Sequence, residues 1–543
     1  MEWNVQKMKK QERLQRASHM MRGKIIQAEN IVPVLESVVY PNDRVVLEGD
    51  NQKQATFLSQ ALASVDPAIV HGLTMLIPAV SREEHLDLFE KGIARELNFA
   101  FAGMQSVRLA KMLEDNQLKI GSIHTYLELY ARLLVDLIPN VCLVAAEMAD
   151  EDGNLFTGYS TEDTPILVEA TAFKDGIVIV QVNDIVEKGV LPRVDIPGDW
   201  VDIVVRSDEP YQMEALFTRD PAKIRDSHIL MAMMTIKGIY AKHGVMSLNH
   251  GIGYNGAAIE LILPTYGESL GLKGKICRHW VLNPHPMMIP AIEKGWVESI
   301  YAFGGEKGME KYTEARSDIF FTGNDGTLRS NRAYAQLAGL YGIDLFLGAT
   351  LQMDYLGNSS TVTSGRLSGF GGAPNMGHNT RGRRHSSPAW KEMMANPGRS
   401  LIGGKKLIVQ MLSSSGRFGN NFVPELDAVE IGRNAGLDSV PVMVYGEDVT
   451  HVVTEQGIAY LYLAESEDER TTLMGAVAQG TPIGDMASPA VVERLRKAGK
   501  VALPDDLDID PALATKDLLA AKSLDELVEW SGGLYEIPDS FKK

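Results

Sequence analysis

The sequence predicts an α/β protein built from two similar domains, each a mostly parallel sheet covered by helices, and two observations carry that prediction. Short runs rich in Val, Ile and Phe alternate with amphipathic helical stretches, the pattern of strands buried on both faces. The halves also repeat each other. Gly49 of LEGDNQ and Gly251 of LNHGIGYN stand 202 residues apart, Gly103 of FAFAG and Gly305 of YAFGG again 202, and Gly153 of DEDGN and Gly357 of MDYLGN 204, in the same order. A chain of 543 residues also exceeds what one hydrophobic core organises. The joint falls in LFTRDPAKIRD (216–226), which gives domains at 1–225 and 226–543, the second carrying a C-terminal extension.

Taken in order, RVVLEG (44–49) reads as a strand followed by the helix NQKQATFLSQALA (51–63). LNFAFAG (97–103) reads as a strand followed by the helix SVRLAKMLED (106–115). IHTYLELYARLLVDLI predicts a helix over 123–138 whose apolar stripe faces the core. VCLVAAEM (141–148) and GIVIVQV (176–182) are further strands. In the second half LNH runs into the helix-forming AAIELIL (257–263), and KICRHWVL (275–282) reads as a strand closed by Asn283-Pro284. Cys142 and Cys277 sit inside these apolar segments without CxxC or Cys/His spacing, so buried thiols are expected and neither a disulfide framework nor a metal site.

A net charge of -17 and a pI near 5.3 argue against general nucleic-acid binding, which needs a basic face to displace counterions. The N-terminus, MEWNVQKMKKQERLQRASHMM, is charged and lacks the apolar core of a secretory signal, and the apolar runs are too short to cross a bilayer. A soluble, cytoplasmic protein is expected.

Two glycine clusters stand out. Gly369-Phe370-Gly371-Gly372-Ala373-Pro374-Asn375 follows the small polar run GNSSTVTSGRLS, and it permits φ > 0 and close approach of a ligand to main-chain N–H groups. Gly251-Ile252-Gly253-Tyr254-Asn255-Gly256 opens a helix, which suits an anionic or polar group. A plain tight turn is the alternative for either cluster. The second cluster matches G-x-G-x-x-G, yet the next strand ends in Asn283-Pro284 with no carboxylate for a ribose, so the dinucleotide reading lacks its second requirement. Arg381-Gly382-Arg383-Arg384-His385 forms a basic spot just beyond the first cluster.

The paired domains together with DGNLFTG, VIVQVNDIVEKGVLPRVD, GFGG and VVTEQGIAYL resemble the coenzyme A transferase superfamily. Within it, LEGDNQKQA, STEDTPILVEATAFKDGIVIVQVN, GFGGAPNMG, RGRRHSSPAW and LVEWSGGLY, spread over the chain, are most similar to the alpha subunits of malonate decarboxylases. That resemblance implies exchange of acetate for malonate on an acyl-carrier-protein thioester, with an active site in the cleft between the domains. It further implies no group bound covalently to this chain, which would act on the phosphoribosyl-dephospho-coenzyme A arm of the carrier, and partnership with beta and gamma decarboxylase subunits. Coenzyme A transferases use a glutamate nucleophile, whose place falls by approximate alignment within Arg278-His279-Trp280-Val281, where no carboxylate stands. Glu260, nearby in sequence, reads as a structural or solvated helix residue. The resemblance therefore implies direct attack of the substrate carboxylate on the thioester through a mixed anhydride. On this reading the backbone of Gly251, Gly253, Gly369, Gly371 and Gly372 meets the thioester carbonyl and pantetheine, supported by Asn255 and Asn375. Asn51 and Gln52 face the same cleft, and Arg278, His279, Arg329 and Arg366 are candidate cations for the second carboxylate of malonate. Alternatives are a citrate lyase-type or coenzyme A transferase acting on another carboxylate, and a non-catalytic scaffold that docks the carrier.

Overall fold

A computed structural model, described over residues 3–50, 52–211, 213–378, 406–416 and 419–542, contains two large sheets. The first holds β1 (Arg44–Leu47), β2 (Leu73–Ala79), β3 (Ala94–Phe101), β4 (Lys119–Ile123), β5 (Val141–Asp150), β6 (Ile177–Val186) and β7 (Ile203–Arg206). Its order is β7–β6–β5–β1–β2–β3–β4, all parallel, with a short hairpin of Met21–Arg22 and Ile25–Ile26 outside β7. The second holds β8 (Ser247–His250), β9 (His279–Val281), β10 (Ser299–Tyr301), β11 (Leu345–Ala349), β12 (Leu407–Met411), β13 (His451–Thr454), β14 (Gly457–Ala459) and β15 (Val501–Ala502). There the order is β10–β9–β8–β11–β12–β13–β14–β15, parallel as far as β13 and antiparallel beyond it.

Reading outwards, β3–β2–β1–β5–β6–β7 and β10–β9–β8–β11–β12–β13 are one order used twice. The central strands are buried on both faces, as in VCLVAA of β5 and IVIVQV of β6, and apolar clusters cover each side of the sheets. The six helices that bear on the site are α1 (Thr56–Leu62), α2 (Tyr126–Val135), α3 (Thr164–Ala172), α4 (Asp226–Thr235), α5 (Tyr254–Ile262) and α6 (Arg332–Tyr341).

The duplication reaches individual hydrogen bonds. After β5, Asp150 Oδ1 accepts from the amides of Asp152 and Asn154 (3.0 and 2.9 Å), Asn154 Nδ2 donates to Asp150 Oδ2 (2.8 Å), and Asn154 Oδ1 accepts from Gly198 N (2.8 Å). After β11, Asp354 Oδ1 accepts from Leu356 and Asn358 (3.0 and 2.9 Å), Asn358 Nδ2 donates to Asp354 Oδ2 (3.0 Å), and Asn358 Oδ1 accepts from Gly446 N (2.9 Å). Gly153 and Gly357 supply the left-handed φ, 83° and 85°, that closes each turn.

Three sequence expectations are adjusted. The helix expected over 51–63 spans only Thr56–Leu62, because Lys53–Gln54 first fold back as a short strand antiparallel to Gly49–Asp50. The helix expected over 123–138 spans Tyr126–Val135, because Ile123 still belongs to β4 and Thr125 Oγ1 caps the first turn by accepting from Glu128 N at 3.0 Å. KICRHWVL is a strand only at His279–Val281, since Cys277 takes φ 57° and turns the chain just before it. Both cysteines are buried, and burial pushes both thiols up. Among the described residues no helix is long and apolar enough to cross a membrane.

Candidate active site

The C-terminal end of β11 lies between the two glycine clusters. On one side, Gly251 N donates to Leu347 O (2.8 Å) and so extends the β8–β11 pairing by one residue, while a Cβ on Gly253 would stand 3.5 Å from Ala349 Cβ. Gly253 is the N-cap of α5 and provides no side-chain cap, leaving the first turn of that helix without one. Asn255, in that turn, donates through Nδ2 to Met411 O (3.1 Å) while its Oδ1 is buried without a partner. On the other side, Thr350 Oγ1 donates to Ser360 O (3.1 Å) and the adjacent Thr361 Oγ1 donates to Gly369 O (2.6 Å).

Backbone docking explains much of the glycine content of the second cluster. The amides of Phe370 and Gly371 both donate to Ala100 O (2.8 Å each), Ala102 N donates to Ser368 O (2.8 Å), and Tyr126 N donates to Gly371 O (3.2 Å). Gly369 has φ 68°, and a Cβ there would lie 2.5 Å from Ala100 O; at Gly372 it would run into the Gln336 carboxamide. The loop thus fastens the second sheet onto the end of β3 and the start of α2, and the Gly371 amide is engaged by Ala100. Beyond it, a cleft of about 370 Å³ is lined by Ser122, Thr125, Phe370, Asn375, His378 and Met443, with Asn375 Nδ2 donating to Gln336 Oε1 at 3.1 Å.

A reciprocal contact links the other ends. Past β10, Gly305 N donates to Ser160 Oγ (2.9 Å) and Gly305 O accepts from Gln52 Nε2 (2.8 Å). A Cβ on Gly304 would fall on the Glu162 carboxylate. Arg332, at the start of α6, reaches Asp50 (3.2 Å), Asp163 (3.1 Å) and Glu162 in the first domain, and donates to Gln52 Oε1 (3.1 Å). Its guanidinium also lies over the Tyr126 ring, 4.6 Å from the centroid. Burial pushes the carboxyls of Glu162 and Asp163 up, against the pull of Arg332, and beside them burial lowers the Lys53 ammonium and raises Glu48.

Of the sequence candidates, Gly251, Gly253, Asn255 and the 369–372 loop gather around the end of β11, and Gln52 sits at the domain junction. Arg278 and His279 do not join them. They stand at the opposite, N-terminal end of β9, where Arg278 is paired with Glu298 and His279 Nδ1 is 2.9 Å from Ser299 Oγ. Arg329 and Arg366 are exposed, Arg366 on a separate hairpin with Val362–Thr363. Asn51 and the basic spot 381–385 lie outside the described residues.

Sequence reasoning missed a second set. Glu260, on α5, is fully buried rather than solvated: Oε1 is 2.8 Å from His250 Nδ1 and Oε2 is 3.0 Å from His285 Nε2. Burial alone would raise its pKa, but the two imidazoles outweigh it and hold the carboxyl down at about 2. Neither His250 nor His285 belongs to a recognisable motif, so spacing gave no signal. Among the described residues no group of three or more His, Cys, Asp or Glu is placed to hold a metal ion.

Two interlocked, parallel-sheet α/β units with glycine turns at the strand ends define a coenzyme A transferase-like fold. The chain superposes on an acyl-CoA transferase from Escherichia coli O157:H7 with a TM-score of 0.53 over 81% of this chain and 88% of that one, at 14% identity, a likeness of fold alone. Residues 2–543 match the family model described as malonate decarboxylase, alpha subunit, transporter, and the chain belongs to that family. It is 51% identical over 547 residues to the acetyl-S-ACP:malonate ACP transferase of Malonomonas rubra, covering 99% of this chain and 98% of that protein. It is also 60% identical to a chain of a Pseudomonas malonate decarboxylase hetero-tetramer solved in complex with malonate, with a TM-score of 0.96 over 100% of this chain and 99% of that one.

Proposed function

We propose that this chain exchanges acetate for malonate on the thioester of an acyl carrier protein, giving malonyl carrier and free acetate as the first step of malonate decarboxylation. The observation that carries the proposal is membership of the malonate decarboxylase alpha subunit family over residues 2–543, on a fold whose glycine turns bracket one strand end between two domains. The thioester belongs to the phosphoribosyl-dephospho-coenzyme A arm of the carrier, and no group is bound covalently to this chain. Beta and gamma subunits perform the decarboxylation, and the complex works in the cytoplasm. We place the domain boundary at 225/226.

The transfer runs by direct attack of a malonate carboxylate on the acetyl carbonyl, through a mixed anhydride. Glu260, the carboxylate nearest the crevice in sequence, is enclosed by His250 and His285, and the end of β9 offers Asn283 rather than an acid. That supports a route without an enzyme nucleophile. Such a route depends on holding both reactants, which can lower the barrier by roughly 7 kcal/mol or more, and on main-chain donors to the oxyanion, each worth about 3 kcal/mol. The amides opening α5 after Gly251 and Gly253 serve that purpose, with Gly369, Gly371 and Gly372 shaping the facing wall and Asn255 and Asn375 adding polar contacts.

Incubating the purified chain with acetylated carrier protein and isotopically labelled malonate tests this. Malonyl carrier and one equivalent of acetate are expected by mass spectrometry, while citrate and monocarboxylates leave the carrier acetylated. Transfer of citrate in preference to malonate, or no transfer at all, would remove the proposal.

A further inference from the structure

In a chain of net charge -17, one recess of about 140 Å³ is lined by five cations, Lys9, Lys10, Arg13, Arg44 and Lys174. Its floor is made of strand starts: Arg44 opens β1, Asn140 precedes β5 and Ile177 opens β6. The glycine turns of the crevice stand at strand ends instead, and a strand of ten residues such as β5 puts about 30 Å between those two edges. One wall is the N-terminal helix Trp3–Ala17, on which Gln6, Lys9, Lys10 and Arg13 share a face at spacings of three and four. The other is the turn from α3 to β6, with Lys174 and Asp175.

The charges in this recess are unevenly matched. Arg13 Nη2 is 3.0 Å from Asp43 Oδ1, and Lys10 Nζ is 2.8 Å from Asp202 Oδ2. These two pairs fasten the helix to the domain. Lys9, Arg44 and Lys174 have no acidic partner among the described residues. Arg44 donates to the protein from Nε alone, to Ile138 O (2.6 Å), which leaves both of its Nη groups open to solvent. Asn140 Oδ1 accepts from Arg44 N (2.9 Å), and that leaves Asn140 Nδ2 open beside them. Asp175 is the one acid on the lining itself and makes no ion pair among the described residues, so five cations meet three carboxylates. Like charges gathered in a recess focus a positive potential and repel one another until an anion neutralises them.

We propose that this recess binds a phosphate group, free or as a monoester, and that the bound anion ties the N-terminal helix to the strand starts. Arg44 supplies a forked donor, Asn140 a neutral one, and Lys9 and Lys174 add point charges from the two walls. Donors arriving from the floor and from both walls match the several oxygens of a tetrahedral dianion. A planar carboxylate is satisfied by the Arg44 fork alone, which makes malonate the weaker ligand here. No residue of the crevice takes part, so the site is separate from acyl transfer.

Isothermal titration calorimetry of the full-length chain at pH 8 and constant ionic strength, with inorganic phosphate and with glycerol phosphate, tests this. A Kd of about 1 mM or tighter is expected for a phosphate ligand, and the tighter of the two tells whether the free or the esterified group is the occupant. Malonate at equal concentration is expected to displace little of it. Arg44→Lys keeps the charge and loses the fork, and it is expected to weaken phosphate binding about tenfold. Lys9→Ala and Lys174→Ala change exposed side chains and are expected to weaken it several-fold each. Bound phosphate is also expected to slow amide hydrogen exchange over residues 4–17. Displacement of phosphate by equimolar malonate, equal affinity in the parent and all three variants, or neither heat nor exchange protection with either phosphate would overturn the proposal.

Discussion

Arg332 shows how much a single side chain can carry. Glu48, Asp50, Glu162 and Asp163 are buried around two cations, Lys53 and Arg332, so the cluster has more acid than base in a region closed to water. Glu162 even adopts φ 50° to place its carboxylate there. Because burial raises the folded-state pKa of Glu162 and Asp163 above the unfolded value, the folded protein holds more protons than the unfolded one. The associated stability is present below the ordinary carboxylate range and is lost as pH rises through the raised values. Replacing Arg332 by Gln strips the carboxylates of their guanidinium, which costs about 3 kcal/mol or more when a buried pair loses one partner. At pH 8 the full penalty is expected, and at pH 5 a smaller one, since the carboxyls then take up protons. Urea unfolding at the two pH values measures it, and an equal loss at both would contradict the over-acid cluster.

Between residues and the whole lie the turns after β5 and β11, which the repeat of Gly153 and Gly357 had already marked. In each, one aspartate collects two main-chain amides and an asparagine side chain, while that asparagine reaches across to a glycine amide far along the chain. Asp354→Ala should cost about 2 kcal/mol, the scale of losing several such bonds at once, and Asp150→Ala about the same, both read as shifts in Tm. A marked difference between them would mean that the two turns support the fold unequally. Such elements were legible because turn chemistry is local: a fixed spacing of Asp, Gly and Asn determines the hydrogen bonds. The parallel character of the sheets was legible for a similar reason, since apolar strands alternating with helices are joined by crossovers that leave neighbouring strands parallel. What spacing could not reveal was the use made of the glycines at 369–372, whose close approach is to Ala100, 269 residues upstream of Gly369 in the other domain. Likewise His250 and His285 meet Glu260 only because β8 and β9 pair side by side. Cys277 misled the strand reading because an apolar run gives no sign of a left-handed φ within it.

The domains hold each other by two related contacts. The end of β3 receives the loop at Gly369, which follows β11, and the loop past β10 receives Ser160 and Glu162, which follow β5, so β3 and β10, which hold the same place in the two sheets, each meet a segment that follows the matching strand of the other domain. Duplication of an ancestral unit that paired with its own copy gives this reciprocity directly, because a two-fold contact uses the same two surfaces twice. One contact is filled with charge, around Arg332, and the other is made of main-chain hydrogen bonds at glycine. Neither domain can leave without exposing buried carboxylates at one contact and unpaired amides at the other. We therefore expect the chain to unfold in one cooperative transition, with calorimetric and van't Hoff enthalpies in agreement. Gly369→Val should separate that transition into two, since at φ 68° a branched side chain meets the Ala100 carbonyl and forces the loop off β3. Scanning calorimetry of the two proteins decides the matter. Two transitions in the parent, or one unchanged transition in Gly369→Val, would show that docking at β3 does not couple the halves.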